Sequence, residues 1–308
     1  MWSNMAPPVG RELPHSVNEG SGAWRKLRLR RDAVRSMLRV AMATTRELFR
    51  GDGLAISEHV CSYGPEDRPF EERLCASSVA FVVEGAFGVR SPAGSTALGP
   101  GSVMLGNAGD PYTCVHDAGR GDVCISFRYS ADLLDEAGRS LGLRPRFRGI
   151  SLGPAPDFAA FPAIARHAAR SLEETALELL GRVLEADAGA PRSLSRPRPA
   201  DERRAVEALR HIDAHADEPL SLASLAARAR LTRFHFLRSF RAAVGTTPHQ
   251  SVLAARIRRA AKLLLETRLP VTGVALEAGF GDLSNFIRTF RRATGSSPRA
   301  FRARSSAR

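Results

Sequence analysis

Arg238 and Arg288 stand fifty residues apart in two copies of one pattern. Residues 236–248 read FLRSFRAAVGTTP and residues 286–298 read FIRTFRRATGSSP. Phe236, Arg238, Phe240, Arg241, Ala243, Gly245 and Pro248 recur as Phe286, Arg288, Phe290, Arg291, Ala293, Gly295 and Pro298, seven identities in thirteen positions. Chance does not produce this; an internal duplication does. At helical spacing, Phe236 with Phe240 and Phe286 with Phe290 form core-facing stripes. The opposite faces carry Arg233, Phe234, Leu237, Arg238 and Arg241 in the first copy, and Leu283, Ser284, Ile287, Arg288 and Arg291 in the second. A guanidinium presents paired N–H donors that fit O6 and N7 of guanine, and an outward Leu or Ile fits a thymine methyl. Arg241, Arg291 and Arg292 suit phosphate oxygens. For one arginine alone the plain alternative is a solvated helix face; the matched pair in matched repeats favours base contact. His235 and His249 are read as packing or surface residues.

A second set of residues has a different chemistry. The four cysteines are Cys61, Cys75, Cys114 and Cys124. A hairpin of Tyr112–His116 with Asp122–Phe127 around Gly119 would set Cys114 opposite Cys124 and His116 opposite Asp122 on one sheet face. Cys114, His116 and Cys124 would then form a soft-metal cluster for zinc or a similar ion, with Cys61 as a fourth ligand. Two other readings stay open: buried thiols acting as small hydrophobes, and a redox-sensing Cys114–Cys124 disulfide, restricted by the narrow geometry such a bond requires.

The arginine faces need elements to hold them. Each repeat follows a short apolar helix and a tight turn. The first is Ser221–Arg228, then Ala229-Arg230-Leu231, then Thr232; the second is Val271–Ala278, then Gly279-Phe280-Gly281, then Asp282. Thr232 and Asp282 are N-cap residues whose oxygens accept free first-turn N–H groups. Short helix, turn and capped second helix make a helix-turn-helix, here twice. Thr247–Glu266 joins them with an apolar face (Val252, Leu253, Ile257, Ala260, Ala261, Leu264) and a basic one (Arg256, Arg258, Arg259, Lys262). About 20 helical residues span roughly 30 Å, close to the roughly 34 Å between major-groove faces one turn apart.

The charge distribution agrees. The net charge is +13, and residues 200–308 hold 20 Arg and Lys against 9 Asp and Glu, while residues 1–199 hold 25 against 23. An excess confined to one end indicates a polyanion-binding module beside a nearly neutral one. Only Lys26 and Lys262 are lysines; a general preference for arginine explains that choice and not the location of the surplus. No apolar run approaches the roughly 18 residues of a membrane span. No signal-peptide pattern stands at the N-terminus, and four cysteines in 308 residues do not make a disulfide scaffold. Cytoplasmic location is expected.

Residues 50–130 read as strands: Leu54–Ile56, Val79–Val83, Phe87–Val89, Val103–Leu105, Tyr112–Val115 and Val123–Phe127, separated by Gly- and Pro-rich turns. This spacing predicts a small barrel or jelly roll. Residues 158–187 turn helical, with the stripe Leu172, Thr175, Ala176, Leu179, Leu180, Val183 and Leu184; it packs on the barrel or on a partner chain. Residues 188–200 form a proline-rich linker. Residues 1–41 form a disordered extension, its residues 31–41 open to a short helix; translation from Met42 is the other reading.

Residues 202–304 resemble the DNA-binding domain of AraC/XylS-type transcription regulators, through LSLASLAARARLTRFHFLRSFRAAVGTTPHQ and LPVTGVALEAGFGDLSNFIRTFRRATGSSPRAFR. The resemblance implies base-edge roles for Phe234, Leu237, Arg238, Leu283, Ser284, Ile287 and Arg288. Arg230 departs from it, since the family has a small residue or glycine in that turn. It further implies an α+β chain with an N-terminal cupin-like β-barrel (42–157) that binds an effector, a helical dimerisation or packing segment (158–187), the linker (188–200) and an all-α domain with two helix-turn-helix units (201–308). Gly99-Pro100-Gly101-Ser102 is similar to a cupin turn, but the paired metal histidines of cupin oxygenases are absent. The Cys-X-His and Gly-Asp-X-Cys pattern is similar to a subset of the family. The implied protein is a non-enzymatic regulator, an activator by resemblance, with double-stranded DNA, RNA polymerase, a small effector or metal and a second copy as partners. Two alternatives are a DNA alkyl-transfer repair protein with a Cys-metal site, disfavoured by cysteine gaps of 14, 39 and 10, and a nucleoid-type binder, disfavoured by the outward apolar residues.

Overall fold

A computed structural model describes residues 43–116, 121–167, 172–190 and 197–303. The expectations for residues 1–41 and for residues 191–196 of the linker lie outside them. The strands are β1 (Ala43–Gly51), β2 (Leu54–Cys61), β3 (Glu71–Arg73), β4 (Ser77–Gly85), β5 (Phe87–Ser91), β6 (Gly94–Leu98), β7 (Val103–Gly106), β8 (Pro111–Val115), β9 (Asp122–Tyr129) and β10 (Ser151–Leu152). They form a six-stranded sheet in the order β1-β2-β9-β4-β7-β10 and a four-stranded sheet in the order β3-β8-β5-β6. The expected strand segments are all present.

Of the expected barrel or jelly roll, the sheet-rich module is present as two open sheets, and no sheet closes into a barrel among the described residues. The expected hairpin of β8 with β9 does not form either. Both edges of β9 are already paired, with β2 on one side and β4 on the other, so β8 pairs instead with β3 and β5. Period-two alternation then gives β9 two unlike faces. Ile125, Phe127 and Tyr129 join the main apolar core, while Asp122, Cys124, Ser126 and Arg128 share the other face.

Ser130 caps α1 (Ala131–Leu141), its hydroxyl accepting from Leu133 N at 3.2 Å. The segment expected to be one helix over 158–187 is divided into a 3-10 turn (Pro156–Phe158), α2 (Phe161–His167) and α3 (Leu172–Gly189). The apolar stripe of α3 is buried on the six-stranded sheet: Ala176, Leu179, Leu180 and Val183 have no exposed surface. Tyr129 Oη donates to Ala176 O at 2.9 Å across this contact. Of the two expected partners for the stripe, the chain's own sheet takes it. Asp187, near the end of α3, accepts from Arg148 N at 2.6 Å and Gly149 N at 2.8 Å, which ties the helix to the loop before β10.

The C-terminal part is helical: α4 (Pro199–Ala214), α5 (Leu222–Arg228), α6 (Arg233–Val244), α7 (Pro248–Glu266), α8 (Val271–Glu277), α9 (Leu283–Thr294) and α10 (Pro298–Ala303). α7 serves two cores. Val252 and Ala255 pack with α4, α5 and α6; Ala254, Ile257, Ala260, Ala261 and Leu264 pack with α8, α9 and α10. The sheet module touches both. Ala86 and Ala97 enter the first core, and Ala159, Ala160 and Ala163 enter the second. Polar contacts reinforce this: Arg210 donates to Ala86 O at 3.1 Å, Ser95 to Glu202 at 2.9 Å, and Arg182 to Ala293 O at 3.3 Å.

Candidate nucleic-acid interface

Each recognition helix begins and ends on chemistry visible in its residues. Thr232 Oγ1 accepts from His235 N at 3.3 Å at the start of α6. The Asp282 carboxylate accepts from Ser284 N at 3.3 Å and Asn285 N at 2.7 Å at the start of α9. Gly245 (φ 83°) and Gly295 (φ 74°) end them in the left-handed conformation that glycine adopts without steric cost. The Phe236 and Phe240 rings meet at 5.6 Å, tilted by 46°, and Phe280, Phe286, Phe290 and Phe301 form a continuous ladder. These rings fix which face turns outward.

The outward faces are those expected. Arg233, Phe234, Arg238 and Arg241 of α6 are exposed and Leu237 is half-buried; Leu283, Ser284, Ile287, Arg288 and Arg291 of α9 are exposed. Phe234 is 74% exposed, an unusual state for a large ring and one that suits contact with a partner. Arg288 Nη2 donates to Asn285 Oδ1 at 3.2 Å, which orients its fork. Ser284, Ile287, Arg288, Arg291 and Arg292 line one open concavity of about 680 Å³ on α9. Among the described residues, Arg233, Arg238, Arg241, Arg291 and Arg292 form no ion pair. His235 and His249 are exposed.

The basic face expected on the connecting helix is largely spent inside the protein. Arg256 Nε donates to Ala216 O at 2.9 Å, its Nη2 to Glu218 O at 3.0 Å, and its guanidinium lies 6.0 Å from the Phe280 ring. Arg258 pairs with Asp213, and Arg259 with Asp217 at 3.2 Å. These carbonyls and carboxylates belong to α4 and the turn after it, so pattern alone did not reveal them.

The two turns differ by one residue. In the first, Arg230 N bonds Ala227 O and Leu231 N bonds Ala226 O; in the second, Gly279 N bonds Leu276 O and Phe280 N bonds Ala275 O. Both are the same helix-ending motif, which makes Gly279 the counterpart of Arg230. Gly281 is an extra residue before the Asp282 cap. Arg230 has φ 54°, the one positive φ outside glycine among the described residues. Its side chain is exposed, so the departure from the family pattern costs backbone strain and no packing.

The cysteine-bearing residues converge differently from the expected hairpin. Cys114 and Cys124 lie on facing strands of the two sheets and pack against one small cluster of Val82, Phe87, Val89 and Leu98. One donor atom each from Cys61, His116 and Asp122 lie within 4.8 Å of one another. His116 Nε2 is bonded to Asp122 Oδ2 at 2.8 Å, and the Cys124 thiol donates to Asp122 Oδ1 at 3.3 Å. Burial disfavours a charged His116, but its bonds to Asp122 and Cys61 outweigh this and push it up to about 9. Burial first, then nearby carboxylates, pushes the Cys114 and Cys124 thiols up. Asp122 was not expected as a ligand; its place two residues before Cys124, on the same strand face, was the available signal. Cys75 is exposed and outside the cluster.

Residues 225–304 match the protein family described as a helix-turn-helix domain. Over 88 residues the chain is 38% identical to the probable transcriptional regulator LumQ of Photobacterium leiognathi, covering 29% of this chain and 36% of that protein. It is 35% identical over 101 residues to the HTH-type transcriptional regulator CdhR of Pseudomonas aeruginosa, 33% of this chain and 30% of that protein. It is also 35% identical over 106 residues to the arabinose operon regulatory protein of Escherichia coli, 34% of this chain and 36% of that protein. The similarity thus spans about a third of the length of these relatives. With two capped recognition helices set on one connecting helix, residues 225–304 form a DNA-binding helix-turn-helix domain of the AraC type.

Proposed function

We propose that the whole chain is a sequence-specific transcription regulator that sets α6 and α9 in successive major grooves of double-stranded DNA. The observation that carries this is the repeated outward face: two capped helices, each with an arginine and an apolar side chain turned away from a phenylalanine core. In this reading Arg238 and Arg288 read base edges, Leu237 and Ile287 meet thymine methyls, and Arg241 and Arg291 meet phosphates. The sheet module serves as a cupin-like receiver of a small effector or ion, and RNA polymerase is the downstream partner. A second copy would join through a surface other than the buried stripe of α3. The module of residues 201–308 carries DNA binding, and the chain acts without catalysis in the cytoplasm.

The test uses the full chain on a duplex selected from a random pool, compared with a shuffled duplex across a salt series. Base readout predicts at least about a 10³-fold preference for the selected duplex at fixed salt. Equal affinities with a steep salt dependence would instead make the chain a non-specific phosphate binder.

A further inference from the structure

We propose that Cys61, His116 and Asp122 form a binding site for one divalent transition-metal ion of the zinc type, with the Cys124 thiol supporting it from behind the carboxylate. The site needs no DNA and does not depend on the functional reading above.

The positions follow from register. Cys61 at the end of β2 and Asp122 at the start of β9 are direct partners across the sheet. Side chains of opposed residues leave the same face about 5 Å apart. His116, just past the end of β8, comes from the other sheet and closes the triangle. Gly85 and Gly121 permit the tight approach: both have positive φ, and a Cβ on Gly85 would lie 2.3 Å from Gly121 O and 2.7 Å from Asp122 Cα.

The donors now lie within 4.8 Å of one another. Around a tetrahedral ion with bonds of about 2.0–2.3 Å, donors sit about 3.3–3.8 Å apart. An ion therefore needs only small adjustments, including separation of the His116–Asp122 pair. The surroundings are built as a ligand shell. The side chains of His116 and Asp122 are 7% and 8% exposed. The imidazole lies between the Phe87 ring at 5.4 Å and the Tyr63 ring at 6.1 Å. Tyr63 N donates to Cys61 Sγ at 3.5 Å, and Cys124 holds the second oxygen of Asp122. Such outer bonds orient ligands.

The Asp122 carboxylate, paired with His116 at 2.8 Å, is the anionic member of the triad. Donor chemistry selects which cation. One sulfur, one nitrogen and one carboxylate suit zinc, cobalt or iron(II); calcium and magnesium require more oxygens, and copper(I) requires softer ligands. Three protein ligands leave one position open. Ligation needs the Cys61 thiolate and an unprotonated His116 Nε2, so binding displaces the proton that His116 shares with Asp122 as well as the thiol proton, both passing to solvent.

The experiment uses the full chain, purified without a tag and stripped with a chelator, then titrated with cobalt(II). One equivalent should give tetrahedral d–d bands and a thiolate-to-cobalt charge-transfer band, both displaced by zinc. Cys61→Ser should abolish the charge-transfer band, Asp122→Asn should weaken binding, and Cys124→Ser should weaken it about 10–100-fold. Cys75→Ser should leave the spectrum unchanged. Alkylation mapped by mass spectrometry on the unmutated chain adds a readout independent of variant folding: zinc should protect Cys61 and leave Cys75 reactive. A chain that shows no charge-transfer band, or a band that survives Cys61→Ser, or zinc that fails to slow alkylation of Cys61, overturns the site.

Discussion

Replacing Gly279 with alanine tests whether the second helix-turn-helix turn and the first unit are in backbone contact. Gly279 has φ 84°. An added Cβ would lie 2.5 Å from Ala216 O and 2.7 Å from Asp217 Cα, both backbone atoms of the turn after α4. That turn cannot retreat easily, because Ala216 is buried and its carbonyl accepts from Arg256. The left-handed conformation costs a residue with a side chain about 1–2 kcal/mol. Forcing the turn aside adds about 1–3 kcal/mol, and the lower chain entropy of unfolded alanine returns about 0.4–1 kcal/mol. The net expectation is a loss of about 1–4.6 kcal/mol. Arg230→Gly is the opposite case, with the same left-handed position and an exposed side chain; it should gain up to about 1 kcal/mol. Urea unfolding followed by circular dichroism measures both. If Gly279→Ala stays within about 0.5 kcal/mol of the parent, or Arg230→Gly is the more damaging change, the counterpart relation between these turns is refuted.

Arg238→Ala and Arg288→Ala should each cost about 1–3 kcal/mol on the selected duplex and relax preference at positions about one turn apart; Arg291→Ala should weaken all duplexes alike, as measured by anisotropy on a base-substituted panel. Leu179→Glu combined with Val183→Glu places two charges where no surface is exposed, so the sheet module should unfold; a soluble folded chain in light scattering and dichroism would contradict the packing of α3. Asp187→Ala leaves Arg148 N and Gly149 N without their acceptor and should cost about 1–3 kcal/mol in thermal unfolding.

The helix-turn-helix units were readable because their signals are local: cap residues, glycine stops and phenylalanines four apart all act within one turn of helix. The unequal turns were not, because the strong match beyond Thr232 and Asp282 carried the same offset back across Gly281. The strands were also readable from apolar runs, but their partners were not. β8 and β9 are neighbours in sequence, and the symmetry of Cys114 and Cys124 about Gly119 suggested pairing; β2 and β4 occupy β9 instead through contacts far apart in the chain. The helix Ala131–Leu141 carries its signals locally as well, a serine cap at Ser130 and a glycine stop at Gly142. The arginines of α7 show the opposite limit. Exposed and inward-bonded guanidiniums look alike in a sequence, and only the carbonyls of Ala216 and Glu218 distinguish them.

The connecting helix α7, anchored in a different core at each end, acts as a gauge block. Each residue of a helix advances the chain about 1.5 Å and turns it about 100°. Adding or removing one residue in α7 would therefore swing one reading head about a quarter of a circle relative to the other, rather than stretch their separation slightly. With Arg256 bolting the turn of the first unit to the ring of the second, the gauge has one setting. With both helices in successive grooves as proposed, any mismatch with the roughly 10.5-base-pair repeat of the double helix falls on the DNA, so duplexes that bend or retwist cheaply between the two half-sites gain an advantage that no side chain reads directly.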